Sequence, residues 1–140
     1  MVKLKETKEN LDLVIVKAEW GEGKRSKWLS SYTLACRKGD EFLEIGKAST
    51  GLKEKREEGL SFAEVTDLLK PLIIKEESKE VTLKPKVVIE VGYEEIQKSP
   101  TYSSGYALRF PRIIQLRQDR APEDISTLKI VENFYNKQKK

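Results

Sequence analysis

Four arginines lie within twelve residues near the end of the chain, at Arg109, Arg112, Arg117 and Arg120. A guanidinium group is a planar fork that binds phosphate or carboxylate oxygens in pairs, so clustered arginines indicate the handling of phosphates. The alternative is an edge strand that carries charge to prevent association with other strands. On a single strand Arg109 and Arg117 would point to the same face, whereas Pro111 leaves the direction of Arg112 open.

The rest of the composition excludes several kinds of chemistry. The 140 residues include no histidine and one cysteine. This excludes zinc sites of the cysteine and histidine type, cysteine–histidine dyads and serine–histidine–aspartate triads. Cys36 cannot form an internal disulfide and is predicted to be a small buried hydrophobic residue. Chemistry must therefore depend on lysine, arginine and carboxylates, and no metal site is predicted.

A second basic cluster lies in a glycine-containing segment closer to the N-terminus. Lys24, Arg25 and Lys27 follow Gly21 and Gly23, and the whole chain carries a net charge of +4. Such a loop either contacts DNA phosphates or is an ordinary solvated loop, and both interpretations stay open. No apolar run approaches the roughly 18 residues that cross a bilayer, so no membrane partner is expected.

Hydrophobic patterning predicts the strands that would position these residues. Alternating and β-branched residues favour five strands, over 11–20, 28–37, 42–48, 81–93 and 107–117. Gly39 suits the turn between the second and third strands, since glycine accepts positive φ. Lys84-Pro85-Lys86 divides the fourth strand.

Two helices complete the pattern. The first is predicted to begin at Ser61, with Glu64 completing a capping box, and to end at Pro71. The second is predicted to begin at Pro122, with Ile125, Leu128 and Val131 on one apolar stripe. The resulting order predicts a mostly β fold, a five-stranded OB-type Greek-key barrel with a helix between strands 3 and 4 and a C-terminal helix.

The arginine cluster closely resembles motif VI of ATP-dependent DNA ligases of the archaeal and eukaryotic type. That motif reads Arg-Phe-Pro-Arg, four residues, then Arg-x-Asp-Lys. The matching positions are Arg109, Phe110, Pro111, Arg112, Arg117 and Asp119. Arg120 stands where the family usually has lysine, which keeps the charge and changes the shape of the group.

Further segments extend the resemblance over nearly the whole chain. They are Leu11–Ile15 with Trp20–Arg25, Gly46-Lys47 with Thr50–Leu52, and Glu90–Tyr106. Lys3-Leu4-Lys5 is similar to the end of motif V, with Met1 where the motif has tryptophan, so the chain is expected to begin inside that motif. The Lys-x-Asp-Gly motif, whose lysine takes AMP covalently in these ligases, does not occur in the sequence.

The resemblance implies the C-terminal OB domain of a DNA ligase, which closes over ATP during enzyme adenylation and helps to clamp nicked duplex DNA during sealing. Residues 1–10 would be the end of motif V with a linker, 11–121 the OB fold, and 122–140 a C-terminal helix with a basic tail.

The resemblance also implies a role for each candidate residue. Arg109, Arg112, Arg117 and Arg120 would act in the adenylation step, and Lys3 and Lys5 would bind ATP. ATP and Mg²⁺ would serve the full-length enzyme, with none bound by this chain alone. The expected partners are nicked double-stranded DNA and the adenylation domain of the same polypeptide, in a monomeric cytoplasmic enzyme.

Two other functions stay open at this stage. One is a stand-alone OB-fold module that binds nucleic acid without catalysis. The other is the related domain of an mRNA-capping guanylyltransferase. A Lys-x-Asp-Gly motif upstream of Met1 would favour the ligase interpretation over the stand-alone module.

Overall fold

The computed structural model describes residues 10–21, 28–48, 62–117 and 121–138. Three long strands come first: β1 (Leu11–Trp20), β2 (Leu29–Lys38) and β3 (Glu41–Ala48). Helix α1 (Phe62–Leu69) follows and ends in a short 3₁₀ turn over Lys70–Leu72. Six shorter strands come next: β4 (Ile73–Glu77), β5 (Glu80–Leu83), β6 (Val88–Gly92), β7 (Glu95–Lys98), β8 (Tyr106–Arg109) and β9 (Arg112–Leu116). Helix α2 (Leu128–Gln138) is the last described element.

The strands form one curved antiparallel sheet and one separate hairpin. The order β3-β2-β1-β5-β4 forms the main path, and β6 pairs with both β1 and β9. Strands β7 and β8 pair only with each other among the described strands. The loop between them is bonded to β3, because the Ser104 amide donates to the Glu44 carbonyl at 3.2 Å and the Glu44 amide donates to the Ser103 hydroxyl at 2.9 Å. The mostly β OB-type fold with a helix after β3 and a C-terminal helix is therefore confirmed.

Strand β1 lies at the centre and is buried on both faces. Leu11, Leu13 and Ile15 point into the main core, and Val14 points into a second cluster with Ile125. The period of two along the strand produces this division. Burial raises the pKa of the Cys36 thiol to about 11, which confirms Cys36 as a small buried hydrophobic residue.

The strand boundaries differ from prediction between α1 and β9. The hairpin of β4 and β5 was not predicted for residues 73–77, because Ile74 and the charged residues after it are exposed and leave no alternating pattern. The turn between these strands contains Ser78 at φ 57°. Positive φ is uncommon for residues other than glycine, so the sequence did not indicate this turn. Strand β7 lies between the predicted strands over 81–93 and 107–117, and it was not predicted because it is short and mostly polar.

The C-terminal helix begins six residues later than predicted, at Leu128 instead of Pro122. Pro122–Asp124 forms a short 3₁₀ turn instead, and the chain becomes extended at Ile125 before it bonds to β1. The Ser126 amide donates to the Asp12 carbonyl at 2.9 Å, and the Asp12 amide donates to the Ser126 hydroxyl at 3.1 Å. The predicted apolar contacts are present, since Ile125 and Val131 are buried and Leu128 packs against the core. The predicted cap at Ser61 lies outside the described residues, and α1 ends before Pro71 as predicted.

Candidate functional site

The structure describes three of the four clustered arginines. Arg109 ends β8, Arg112 begins β9 and Arg117 follows β9 directly. Arg120 lies outside the described residues. The same holds for the other candidate residues, Lys3, Lys5, Lys24, Arg25 and Lys27.

A sharp corner divides the strand that was predicted over residues 107–117. Phe110 has φ 52°, in the left-handed region that bulky side chains rarely adopt, and Pro111 contributes no amide hydrogen to a ladder. The interpretation that Arg109 and Arg117 share one strand face was therefore wrong. Arg109 belongs to the β7–β8 hairpin and Arg117 to the end of the main sheet.

Arg109 and Arg112 present their charge at this corner. Arg109 is half exposed, with its guanidinium 3.8 Å from Glu95 and 5.1 Å from the centre of the Phe110 ring. Arg112 is exposed, and no described carboxylate lies within ion-pair distance of it. Phe110 itself is 67% exposed between the two arginines. The corner thus presents two cations and an aromatic ring to an approaching ligand.

Arg117 differs, because carboxylates enclose it. Its Nη1 lies 3.3 Å from Oδ1 of Asp12 and 3.7 Å from Oε1 of Glu90. The arginine, aspartate and glutamate side chains are 22%, 17% and 18% exposed, so this network is mostly shielded from solvent. Strands β1, β6 and β9 each contribute to the network, with Arg117 at the end of β9.

Glu90 lies at the centre of this network. Its two carboxylate oxygens accept hydrogen bonds from Gln115 Nε2 at 2.6 Å and from Asn10 Nδ2 at 2.7 Å. These bonds, first Gln115 and then Asn10, lower the pKa of Glu90, and the charge of Arg117 adds to the effect. Glu90 is an anionic partner for Arg117 at neutral pH, and the lowered pKa extends its ionised state into more acidic solution.

Four residues of this network were not among the predicted site residues: Asn10, Asp12, Glu90 and Gln115. One signal was available, since Asp12 is a carboxylate within the apolar run Leu11-Asp12-Leu13-Val14. A charged residue inside a strongly apolar strand needs a partner. The partner is 105 residues away in the sequence, which explains why local patterns could not identify it.

Metal-ligating side chains are not clustered in the described residues. Across 10–21, 28–48, 62–117 and 121–138, no group of three or more histidine, cysteine, aspartate or glutamate side chains could hold a metal ion. No helix in the described ranges is long and apolar enough to cross a membrane. The guanidinium groups at the arginine corner are suited to bind anions.

The family model and the similar proteins all indicate one protein family. A family model described as the ATP dependent DNA ligase C terminal region matches residues 25–120. The chain is 57% identical to a DNA ligase of Nanoarchaeum equitans over 99% of its length, and 48% identical to a DNA ligase of Archaeoglobus fulgidus over 98%. It covers 25% and 24% of those two proteins, so it spans about a quarter of the relatives it matches.

A solved structure supports the same likeness. The ligase domain of M. tuberculosis LigD is 26% identical to this chain, with a TM-score of 0.67. The alignment covers 84% of this chain and 38% of that structure. The match includes most of the strands described above, so the likeness extends beyond the arginine-rich segment.

Proposed function

The chain belongs to the family of ATP-dependent DNA ligase C-terminal regions, and from this membership we propose that it is the OB domain that closes over ATP during enzyme adenylation and then helps to clamp nicked DNA. The role in adenylation rests on one observation, the corner at Phe110, where Arg109 and Arg112 present charge to solvent. Its position within the residues that match the family model supports the assignment. The enzyme would act in the cytoplasm as a monomer.

The chemistry of adenylation explains why this corner would matter. ATP supplies an adenylyl group and a pyrophosphate leaving group, and negative charge builds on the leaving oxygens as the bond breaks. Arg109 and Arg112 could meet those oxygens with paired N–H donors, and the attraction would grow as the charge develops. An interaction that strengthens in this way stabilises the transition state rather than the bound substrate. Arg117 and Arg120 would complete the set, with Lys3 and Lys5 on the ATP phosphates.

The lysine nucleophile and the Mg²⁺ ion of the reaction would lie outside these 140 residues. The sequence has no Lys-x-Asp-Gly motif, so the lysine that accepts AMP is expected in an adenylation domain of the same polypeptide. Mg²⁺ would be bound with ATP in the full-length enzyme, because Mg²⁺ at nucleotide sites is held largely by substrate phosphates and water.

The chain by itself should not become adenylated. Without the lysine nucleophile it can bind phosphate but has no group that accepts AMP. Purified chain incubated with ATP labelled in the α-phosphate should give no labelled band on a denaturing gel. The full-length Nanoarchaeum equitans ligase is the positive control. A labelled band from the pure chain would overturn the division of roles proposed here.

Binding to duplex DNA should be weak and strongly dependent on salt. On β1, two charged residues that precede the basic cluster in the sequence have ion-pair partners, since Lys17 lies 3.4 Å from Glu44 and Glu19 lies 3.2 Å from Lys47. Lys24, Arg25 and Lys27 are therefore proposed to make the phosphate contacts. Three contacts give a log–log slope of about −2.7, which lowers affinity about 40-fold between 50 and 200 mM salt.

Fluorescence anisotropy of labelled duplex across that salt range measures the slope. Replacing Lys24, Arg25 and Lys27 together by alanine should remove most of it. The matched control replaces the exposed Lys75, Lys84 and Lys86, which changes net charge equally at other positions. Equal effects of the two triple variants would mean that binding depends on net charge alone and not on Lys24, Arg25 and Lys27.

A further inference from the structure

We propose that Glu90 and Asp12 are positioning residues, which hold the guanidinium group of Arg117 in the orientation it uses during enzyme adenylation. The inference rests on the proposed function, because it assigns a role to the surroundings of one arginine in the same site. It follows from the contrast between Arg117, which is held, and Arg112, which is exposed.

The geometry fixes Arg117 from two sides. Asp12 lies on β1 and Glu90 on β6, and these two residues are directly paired across the antiparallel ladder. The Nη1 atom of Arg117 lies 3.3 Å from one carboxylate and 3.7 Å from the other, so a single nitrogen is placed between adjacent strands of the core sheet. A side chain with many rotamers is thereby limited to few of them before any ligand binds.

Glu90 is itself oriented by hydrogen bonds. Each of its carboxylate oxygens accepts a hydrogen bond from a different amide side chain, Gln115 on β9 and Asn10 beside β1. Gln115 and Glu90 are also paired residues of the β6–β9 ladder. The carboxylate is therefore fixed in direction by two strands, and this rigidity is transmitted to Arg117.

Electrostatics indicates that the two carboxylates act through orientation and not through charge. Two anions beside one cation leave the three side chains with a net charge of −1, which would by itself weaken attraction for phosphate. A pair of carboxylates this close to a phosphate-binding arginine is useful only if fixing the guanidinium outweighs that loss. Preorganised donors in active sites are known to depend on such supporting groups.

A double-mutant cycle tests the proposal in a full-length ligase that carries this chain as its C-terminal region. The variants are Glu90→Gln, Arg117→Ala and the pair of both, and the rate of enzyme adenylation is measured for each. Glu90→Gln should slow adenylation about 10-fold, the scale for losing a group that orients a functional residue. In the Arg117→Ala background the same substitution should change the rate little, since there is no guanidinium to orient.

A second readout separates positioning from a general effect on folding. Sealing of a nick that already carries AMP should be nearly unaffected by Glu90→Gln, because no pyrophosphate leaves in that step. Asp12→Asn should behave in the same way as Glu90→Gln. The matched control is Glu44→Gln, which removes the carboxylate of the Lys17–Glu44 pair on β1 and β3 and should leave adenylation unchanged.

The outcomes distinguish this inference from the proposed function. If Arg117→Ala slows adenylation but Glu90→Gln does not, or slows it equally in both backgrounds, the positioning role is wrong and the proposed function stands. If Arg117→Ala leaves adenylation unchanged, Arg117 has no part in the step and both the inference and that part of the proposed function fall.

Discussion

Replacing Arg112 by alanine in a full-length ligase that carries this chain should slow enzyme adenylation about 100-fold, the scale of losing one preorganised donor at a developing charge. Arg112 is exposed at the start of β9, and no described carboxylate lies within ion-pair distance to reduce its charge. Its guanidinium is therefore available to a phosphate ligand. Single-turnover formation of the labelled enzyme–AMP species measures the rate.

Arg109→Ala should have an effect of the same order for the same reason. Arg109 lies 3.8 Å from Glu95, but both side chains are about half exposed, so solvent weakens that pairing and the arginine can turn towards a ligand. The Phe110 ring, 5.1 Å from the guanidinium, provides a surface on which it can rest.

Sealing of a nick that already carries AMP is the internal control for both variants. No pyrophosphate leaves in that step, so it should lose much less than adenylation does. Lys86→Ala, which removes an exposed cation elsewhere, should change neither step. Equal losses in adenylation and in sealing would show that these arginines support DNA binding or the fold, and the role assigned to the corner would be wrong.

The parts of the fold that follow one local pattern were predictable from the sequence. Strands β1 to β3 are rich in apolar residues that alternate only in part, and the turn before β3 contains Gly39, which has φ 61°. Helix α1 carries apolar residues at helical spacing and ends before Pro71. In these segments propensity, periodicity and turn chemistry agree, which makes local reasoning reliable.

The parts that depend on distant contacts were not predictable. Phenylalanine rarely adopts positive φ, so nothing in the sequence indicated this conformation at Phe110. The alternation of apolar and polar residues therefore could not predict the corner that separates Arg109 from Arg117. The start of α2 depends on hydrogen bonds between Ser126 and Asp12, 114 residues apart. The environment of Arg117 depends on three strands at once. Motif spacing groups the four arginines, and the structure places the three that it describes in different surroundings.

Removing helix α2 by ending the chain after Thr127 should lower the melting temperature by about 10 °C or more. Val131 is completely buried, and its burial alone contributes about 2 kcal/mol. The side-chain amide of Gln138 also pairs with both backbone groups of Ile96, so α2 completes the hydrogen bonding of β7. The Tyr135 and Tyr106 rings, 5.3 Å apart, add a further contact with the hairpin that leads to Arg109. Thermal unfolding followed by circular dichroism measures the change, with Ile130→Ala on the partly exposed side of α2 as control.

Ending the chain after Pro122 should lower the melting temperature more than ending it after Thr127. It should also disturb the surroundings of Arg117. The longer truncation also removes Ser126, which exchanges two hydrogen bonds with the backbone of Asp12, and Ile125, which packs against Val14. Asp12 is a partner of Arg117, so loosening this part of β1 should slow adenylation in the full-length ligase beyond what the loss of α2 causes. An unchanged melting temperature with full ligation after either truncation would refute the packing role of the C-terminal segment. Equal adenylation rates for the two truncated ligases would instead show that Ser126 does not act on Arg117 through Asp12.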